Sequence, residues 1–381
     1  MKTNNIILII ISTTILLFTS HVIINNPDCP FHVDYVQYTK SINRFYDQGI
    51  IVDAINGKYL FIYFMSVLLI PVKLLGLNIF DGLVLVTALL QMIIVVLFYR
   101  YTNSILKTLL MATTLTFLTF IGHTETVMLG SVFLLLYFKY RDNKYSEYFI
   151  MIAALIRLDY AIYYLFSRNK WAIIPIGLTF LQWLSGTFFF KSDFGLNTEL
   201  QSTLFIFFLS YGMHLLVFVR TAYPNKKFTK YDFICHVLII IFLIVFLKFP
   251  SQKVFFFPVI LSFMMYDFEL KKSKKIFYSI VTVLIIINIS IGFSTSINRL
   301  NNCTADSFYD FANKHEESIY FGVLQPYLDY YGKKSKPPYT EQITINCENN
   351  TNYLIAEDWR NGQLLYMPSK FCFEKYDGRY D

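Results

Sequence analysis

Charge is what this sequence has least of. Only 15% of its 381 residues are Asp, Glu, Lys or Arg, against roughly 25% in soluble globular domains. That shortage excludes a cytosolic enzyme and a nucleic-acid binder. Cysteine is also scarce, with five residues, which excludes a secreted disulfide scaffold. No Walker motif, Gly-rich dinucleotide loop, His-Glu-x-x-His or Cys-x-x-Cys occurs. The polar connections are too short to hold a nucleotide-binding domain. Any group donor is therefore expected to be lipid-linked.

What is present is apolar. Hydrophobic residues make up 55% and aromatic residues 19% of the chain. Taking about 20 apolar residues per membrane span, hydrophobic segments fall at 5–24, 59–76, 80–99, 107–122, 126–138, 146–166, 171–189, 203–219, 231–247, 254–268 and 276–293. Residues 294–381 are polar, rich in Asn, Asp, Lys and Tyr, and contain no spanning run. The expected architecture is an all-α polytopic membrane domain over 1–293 with a small exoplasmic domain over 294–381. Segment 5–24 has a short basic start but no small-x-small cleavage site before Asn25, so it reads as an uncleaved first helix.

Loop charge sets the expected orientation, and the net charge of +7 reads as topology. With a cytoplasmic N-terminus and 59–76 lying in the outer interface, sixteen Lys and Arg fall in inner loops and seven in outer loops, as the positive-inside rule requires. For that count to close, 146–166 must be a re-entrant hairpin or a pair of short helices. Arg157 and Asp159 in its middle suit a break there. They read either as an internal pair bridging the hairpin or as a functional site.

Two features place the tail on the exoplasmic side: the sequons Asn302-Cys303-Thr304 and Asn349-Asn350-Thr351, and the cysteines Cys303, Cys347 and Cys372. With Cys29 in the first outer loop, these cysteines are disulfide candidates in three possible pairings. Cys235, inside an apolar run, reads as a packing residue.

The outer loops hold the candidate chemistry. The first, 25–79, contains His32-Val-Asp34-Tyr35-Val-Gln-Tyr38, then Gly49, then Asn56-Gly57-Lys58-Tyr59. An acid at the membrane surface serves as a general base or metal ligand; Asp34 also reads as the N-cap of the amphipathic stretch running to Phe45. Glu125, in Gly122-His123-Thr124-Glu125, again reads as a helix-start acid or as a partner of Asp34 on a cation or substrate hydroxyl. His32 and His123 are candidate ligands or hydrogen-bonded bystanders. Lys248 and Lys253, in a short late loop, either bind phosphate or reach lipid headgroups.

Taken together, these positions resemble the GT-C superfamily of membrane glycosyltransferases, specifically the protein mannosyltransferase and aminoarabinose transferase types. The matching residues are Asp34-Tyr35-Val-Gln-Tyr38, Gly49, Asn56-Gly57-Lys58-Tyr59 with interfacial segment 59–76, Glu125, Ala154-Leu-Ile-Arg157-Leu-Asp159, and Lys253-Val-Phe-Phe-Phe-Pro258. The chain departs from the pattern where Tyr35 replaces a second acid and where no Pro-Pro follows Asn-Gly.

The resemblance implies a polyprenyl-phosphate-linked sugar donor, an acceptor that is a lipid, glycan or protein, and a GT-C-like helical bundle. It implies Asp34 as base, Glu125 as the group positioning the acceptor or a divalent cation, and Lys58, Lys248 and Lys253 as cations for the donor phosphate. A secondary transporter and a non-catalytic membrane scaffold are the alternatives; no internal repeat of the kind expected of a transporter is found.

Overall fold

In a computed structural model of the chain, the described residues are 3–25, 33–49, 58–122, 126–167, 172–182, 222–223, 229–246, 256–263, 267–268, 279, 282–283, 285–292, 319–321, 335–336, 353–358 and 363–367. Helices dominate: α1 (Thr3–Asn25), α2 (Val33–Gln48), α3 (Tyr59–Leu68), α4 (Ile70–Leu74), α5 (Ile79–Thr102), α6 (Ile105–Ala112), α7 (Leu115–Thr119), α8 (Thr126–Lys139) and α9 (Ser146–Ile156). A 3-10 helix (Leu158–Phe166) follows, then α10 (Ile173–Gln182), α11 (Lys230–Phe246) and α12 (Phe256–Phe263). Short strands pair at Ala222–Tyr223 with Asp267–Phe268. Within 294–381, four strands (Ile319–Phe321, Ser335–Lys336, Tyr353–Asp358, Gln363–Met367) form one mixed sheet.

Among the described residues, two helices are long and apolar enough to cross a membrane, Asn4–Asn25 and Ile79–Thr102, with mean hydropathies of 2.4 and 2.5. On α5 the exposed residues Leu85, Leu89, Ile93 and Val96 fall at spacings of four, four and three, so they form one apolar stripe along the helix. The opposite face is buried around Leu83, Ile94, Val95 and Phe98. Asn78 caps α5 by accepting a hydrogen bond from the Phe80 N–H, and Asn103 closes it in the left-handed conformation at φ 48°, where Asn is tolerated.

Direction along the bundle follows from a few contacts. Asn4 Nδ2 donates to Tyr99 Oη at 2.9 Å, so the start of α1 meets the end of α5 and the two run antiparallel. The chain then returns through α6 and α7 to Gly122, whose position lies against Val22 near the end of α1. Helix α8 therefore starts at the α1 C-terminal end and leads away from it. Arg100, Lys139, Arg141 and Lys144 fall toward the end where α1 begins.

The expected single run 107–122 is corrected by this path. It is two short helices, α6 and α7, separated at Thr113 and Thr114. The Thr114 hydroxyl accepts from the Phe117 N–H and donates to the Met111 carbonyl. Such local bonding competes with helix continuation. The buried Gln91 amide donates to the Phe117 carbonyl at 2.8 Å, which ties α5 to α7. Segment 59–76 is likewise interrupted, at Leu69, between α3 and α4.

The pair of short helices expected at 146–166 is present. Helix α9 ends at Arg157, whose backbone is extended, and the nine-residue 3-10 helix turns back. Both ends of this hairpin meet Arg141: Ser146 Oγ donates to its carbonyl at 3.4 Å, and its guanidinium donates to the Phe166 carbonyl at 3.1 Å. A 3-10 helix has three residues per turn, so i and i+3 eclipse. That period aligns Tyr160, Tyr163 and Phe166 in one buried column. Tyr163 and Phe166 stack at 5.8 Å, and both meet Phe138 of α8 edge-on.

Gly130 lets this column approach α8. A Cβ there would sit 2.8 Å from the Tyr160 ring, whose hydroxyl bonds Ser131 Oγ and the Val127 carbonyl. Gly130→Ala should therefore push the hairpin off α8 and cost about 1–3 kcal/mol, the usual penalty for overpacking. Thermal unfolding in detergent checks this; an unchanged midpoint would mean the column is not locked to α8.

Candidate functional site

Helices α2 and α3 bring the two segments of the first loop together. Lys58 Nζ donates to Tyr38 Oη at 2.7 Å, and Tyr46 Oη donates to the Ser66 carbonyl at 2.6 Å. Both pairs are offset by 20 residues, so α2 and α3 lie side by side in the same direction. The Tyr38 ring is fully buried and meets Phe61 edge-on at 4.9 Å. The Lys58 ammonium lies 5.2 Å from that ring. Farther along, Phe45 meets Tyr63 edge-on and Lys73 covers the Tyr46 ring at 4.2 Å. Helix α2 is thus pinned along its length, with Lys58 at one end.

Asp34 is the second residue of α2. It is not the N-cap, since the helix already includes Val33; in the first turn a carboxylate is still favoured by the macrodipole. In the chain it comes four residues before Tyr38.

Arg157 and Asp159 form the expected pair, with Nε to Oδ1 at 2.9 Å. The guanidinium also donates to Thr126 Oγ1 at 3.2 Å. Thr126 opens α8 and directly follows Glu125. The break in the hairpin is therefore fastened to the helix end where Glu125 precedes α8, and α3, which starts beside Lys58, packs against α9. A fork carrying several donors suits this junction, because Arg157 ties two elements at once. Its role here is to hold the hairpin tip on α8.

Other expected residues lie outside the described ones: His32, His123, Glu125, Lys248, Lys253, Cys29, Cys303, Cys347 and Cys372. Cys235 is buried, and its thiol faces the Leu165 carbonyl at 3.7 Å, a packing position as its apolar run implies. Among the described residues, no three His, Cys, Asp or Glu side chains gather as a metal site.

The sequence reading missed a second polar cluster at the opposite end of the hairpin. Arg141 donates to Asp232 of α11 at 2.6 Å, with side-chain exposures of 8% and 0%. Asp232 also accepts from the Thr229 N–H and hydroxyl. His236, one turn on, is buried, bonds the Asp232 carbonyl and meets Phe166 edge-on at 4.6 Å. Tyr231 Oη donates to the Leu165 carbonyl at 2.9 Å. These side chains satisfy carbonyls that the end of the 3-10 helix leaves without helical partners. The available signal was a lone Asp at the start of an apolar run, which has to find a partner somewhere in the fold.

No family model matches the chain, and no curated protein or solved structure matches it.

Proposed function

We propose that this chain is a multi-pass membrane glycosyltransferase that moves a sugar from a polyprenyl-phosphate-linked donor to an acceptor on the exoplasmic face. The observation that carries this reading is the Lys58–Tyr38 hydrogen bond. It joins the two loop segments on which the GT-C resemblance rests, Asp34 to Tyr38 and Asn56 to Tyr59.

Membrane insertion is supported by the two spanning-length helices and by the exposed apolar side chains of α1, α5, α10 and α11. Apolar surface on that scale fits lipid better than water. Orientation is supported by the clustering of Arg100, Lys139, Arg141 and Lys144 toward the end where α1 begins. The positive-inside rule assigns that end to the cytoplasm. Glu125 and the Arg157 junction then face the exoplasmic side, together with the tail domain over 294–381.

In this reading Asp34 takes the proton of the acceptor hydroxyl as the sugar leaves its phosphate carrier. The departing phosphate gathers negative charge, and fixed cations in a site shielded from water stabilise that charge. Lys58 is the cation whose position the structure describes; Lys248 and Lys253 are the further candidates. Tyr38 fixes the Lys58 ammonium at the start of α3 and so positions it. Glu125 orients the acceptor, and Asp34, Glu125 and His32 are the groups a divalent cation would take.

A photoreactive polyprenyl phosphate tests the phosphate site. Lys58→Met should weaken its crosslinking about tenfold, near 1.4 kcal/mol. Tyr38→Phe keeps the ring against Phe61 but releases the ammonium, so it should give a smaller loss of the same kind. Equal crosslinking in wild type and Lys58→Met would remove Lys58 from the site and favour a scaffold without donor.

A further inference from the structure

Cations and aromatic rings collect at the end of the bundle where α1 begins, around the turn that joins α8 to α9. The turn reads Lys139-Tyr140-Arg141-Asp142-Asn143-Lys144-Tyr145. Arg141 turns inward to Asp232 at 2.6 Å. Lys144 is exposed and Lys139 half-buried, and each ammonium lies over the ring of the next residue. Lys139 Nζ is 5.2 Å from the Tyr140 ring and Lys144 Nζ 4.7 Å from the Tyr145 ring. Tyr140, Tyr145 and Tyr148 are all exposed. Tyr145 and Tyr148 lie ring to ring at 6.4 Å, and Tyr140 meets Phe149 at 6.1 Å.

Backbone bonds fix the shape of this turn. The Asn143 N–H donates to the Tyr140 carbonyl at 2.8 Å, and the Ser146 N–H to the Asn143 carbonyl at 3.0 Å. Asn143 Oδ1 accepts from the Tyr145 N–H at 3.0 Å. Two neighbours add to the patch. Helix α5 packs against α8 and carries exposed Arg100 in its last turn at the same end. Helix α11, joined to Arg141 through Asp232, opens with exposed Lys230 and Tyr231. Among the described residues of the turn, Asp142 is the exposed acid, so cations outnumber acids across the patch.

We propose that this patch binds the phosphodiester headgroup of an anionic phospholipid. Lys139 ends one apolar helix and Ser146 starts the next, so the cations lie within a turn of chain that enters lipid. That is headgroup depth, where a tyrosine ring meets acyl chains while its hydroxyl stays wet. Lys139 and Lys144 supply the charge that attracts an anionic headgroup. The exposed tyrosine hydroxyls add donors for phosphate oxygens, and the ring contacts hold both ammonium groups at that level. A zwitterionic headgroup brings its own cation and matches the patch less well. The proposal rests on the membrane reading above, but neither on sugar transfer nor on which face is cytoplasmic.

Photoreactive phosphatidylglycerol, labelled near its headgroup, tests this with the full chain in phosphatidylcholine vesicles. Photoreactive phosphatidylcholine is the reference, and the labelled peptides are mapped by mass spectrometry. Peptide 139–149 should take phosphatidylglycerol over phosphatidylcholine by about fivefold or more, the effect of one cation near an anionic surface. Lys139→Gln with Lys144→Gln should lower that preference several-fold. Lys139→Arg with Lys144→Arg should keep it, and so should Lys73→Gln on α4, at the far end of α5.

Equal labelling of 139–149 by the two lipids, or a preference unchanged in the double Gln variant, overturns the proposal. So does loss of the preference in excess inorganic phosphate at constant ionic strength, which would mark a site for a free anion. Labelling of other helix ends by both lipids, with no preference at the turn, defeats this proposal and leaves the membrane reading standing. No labelling of any helix by either lipid defeats both.

Discussion

Replacing Asp232 with Ala should destabilise the protein by about 3–5 kcal/mol, the range for breaking a buried ion pair from one side. Asp232 is fully buried, Arg141 is nearly so, and their atoms are 2.6 Å apart. Removal of the carboxylate strands a guanidinium in the interior and also frees the Thr229 N–H and hydroxyl. A buried charge cannot hide by losing its proton when it is Arg. The loss should therefore appear in full as a lower unfolding midpoint. Asp232→Asn keeps an acceptor for Thr229 and should cost less than Ala, though more than a surface change. The double variant Arg141→Met, Asp232→Leu removes both charges and should recover most of the loss, because apolar pairs of similar volume often replace buried ion pairs at little cost. Recovery would assign the effect to the stranded charge. If Asp232→Ala unfolds at the wild-type midpoint, the pair does not fasten α11.

How much of this was legible beforehand depends on the range of the contact. The break at Arg157 showed itself locally, as two charges two residues apart in an apolar run. The approach of Tyr38 to Lys58 was implied by no spacing rule; both sat in quoted segments, and the parallel packing of α2 and α3 brought them together. The division of 107–122 was hidden because Thr113, Thr114 and Thr116 keep the run apolar enough to read as one span. Their hydroxyls can nonetheless bond backbone and end a helix. The Tyr160, Tyr163, Phe166 spacing of three fits one face of an α-helix almost as well as a 3-10 helix, so sequence could not choose between them. The Arg141–Asp232 pair spans 91 residues, and no local pattern in either segment names its partner. Both ends of the hairpin had signals in the sequence, but only the Arg157 end had a local one.

Asp34→Asn should abolish sugar transfer while leaving the fold intact. A general base contributes about 10²–10⁴-fold to rate, and Asn cannot accept the acceptor's proton at neutral pH. Asn matches the shape of Asp, and the exchange gives up only a first-turn charge worth about 0.3–1 kcal/mol. Expression and unfolding midpoint should therefore stay close to wild type, and Glu125→Gln should show the same pattern with a smaller loss. The direct measurement is transfer of radiolabelled sugar from a polyprenyl-phosphate-linked donor in membranes carrying either form of the protein. The account predicts transfer with wild type and about a hundredfold less or worse with Asp34→Asn at equal protein. Transfer by Asp34→Asn at the wild-type rate, or no wild-type transfer from any such donor, would contradict it.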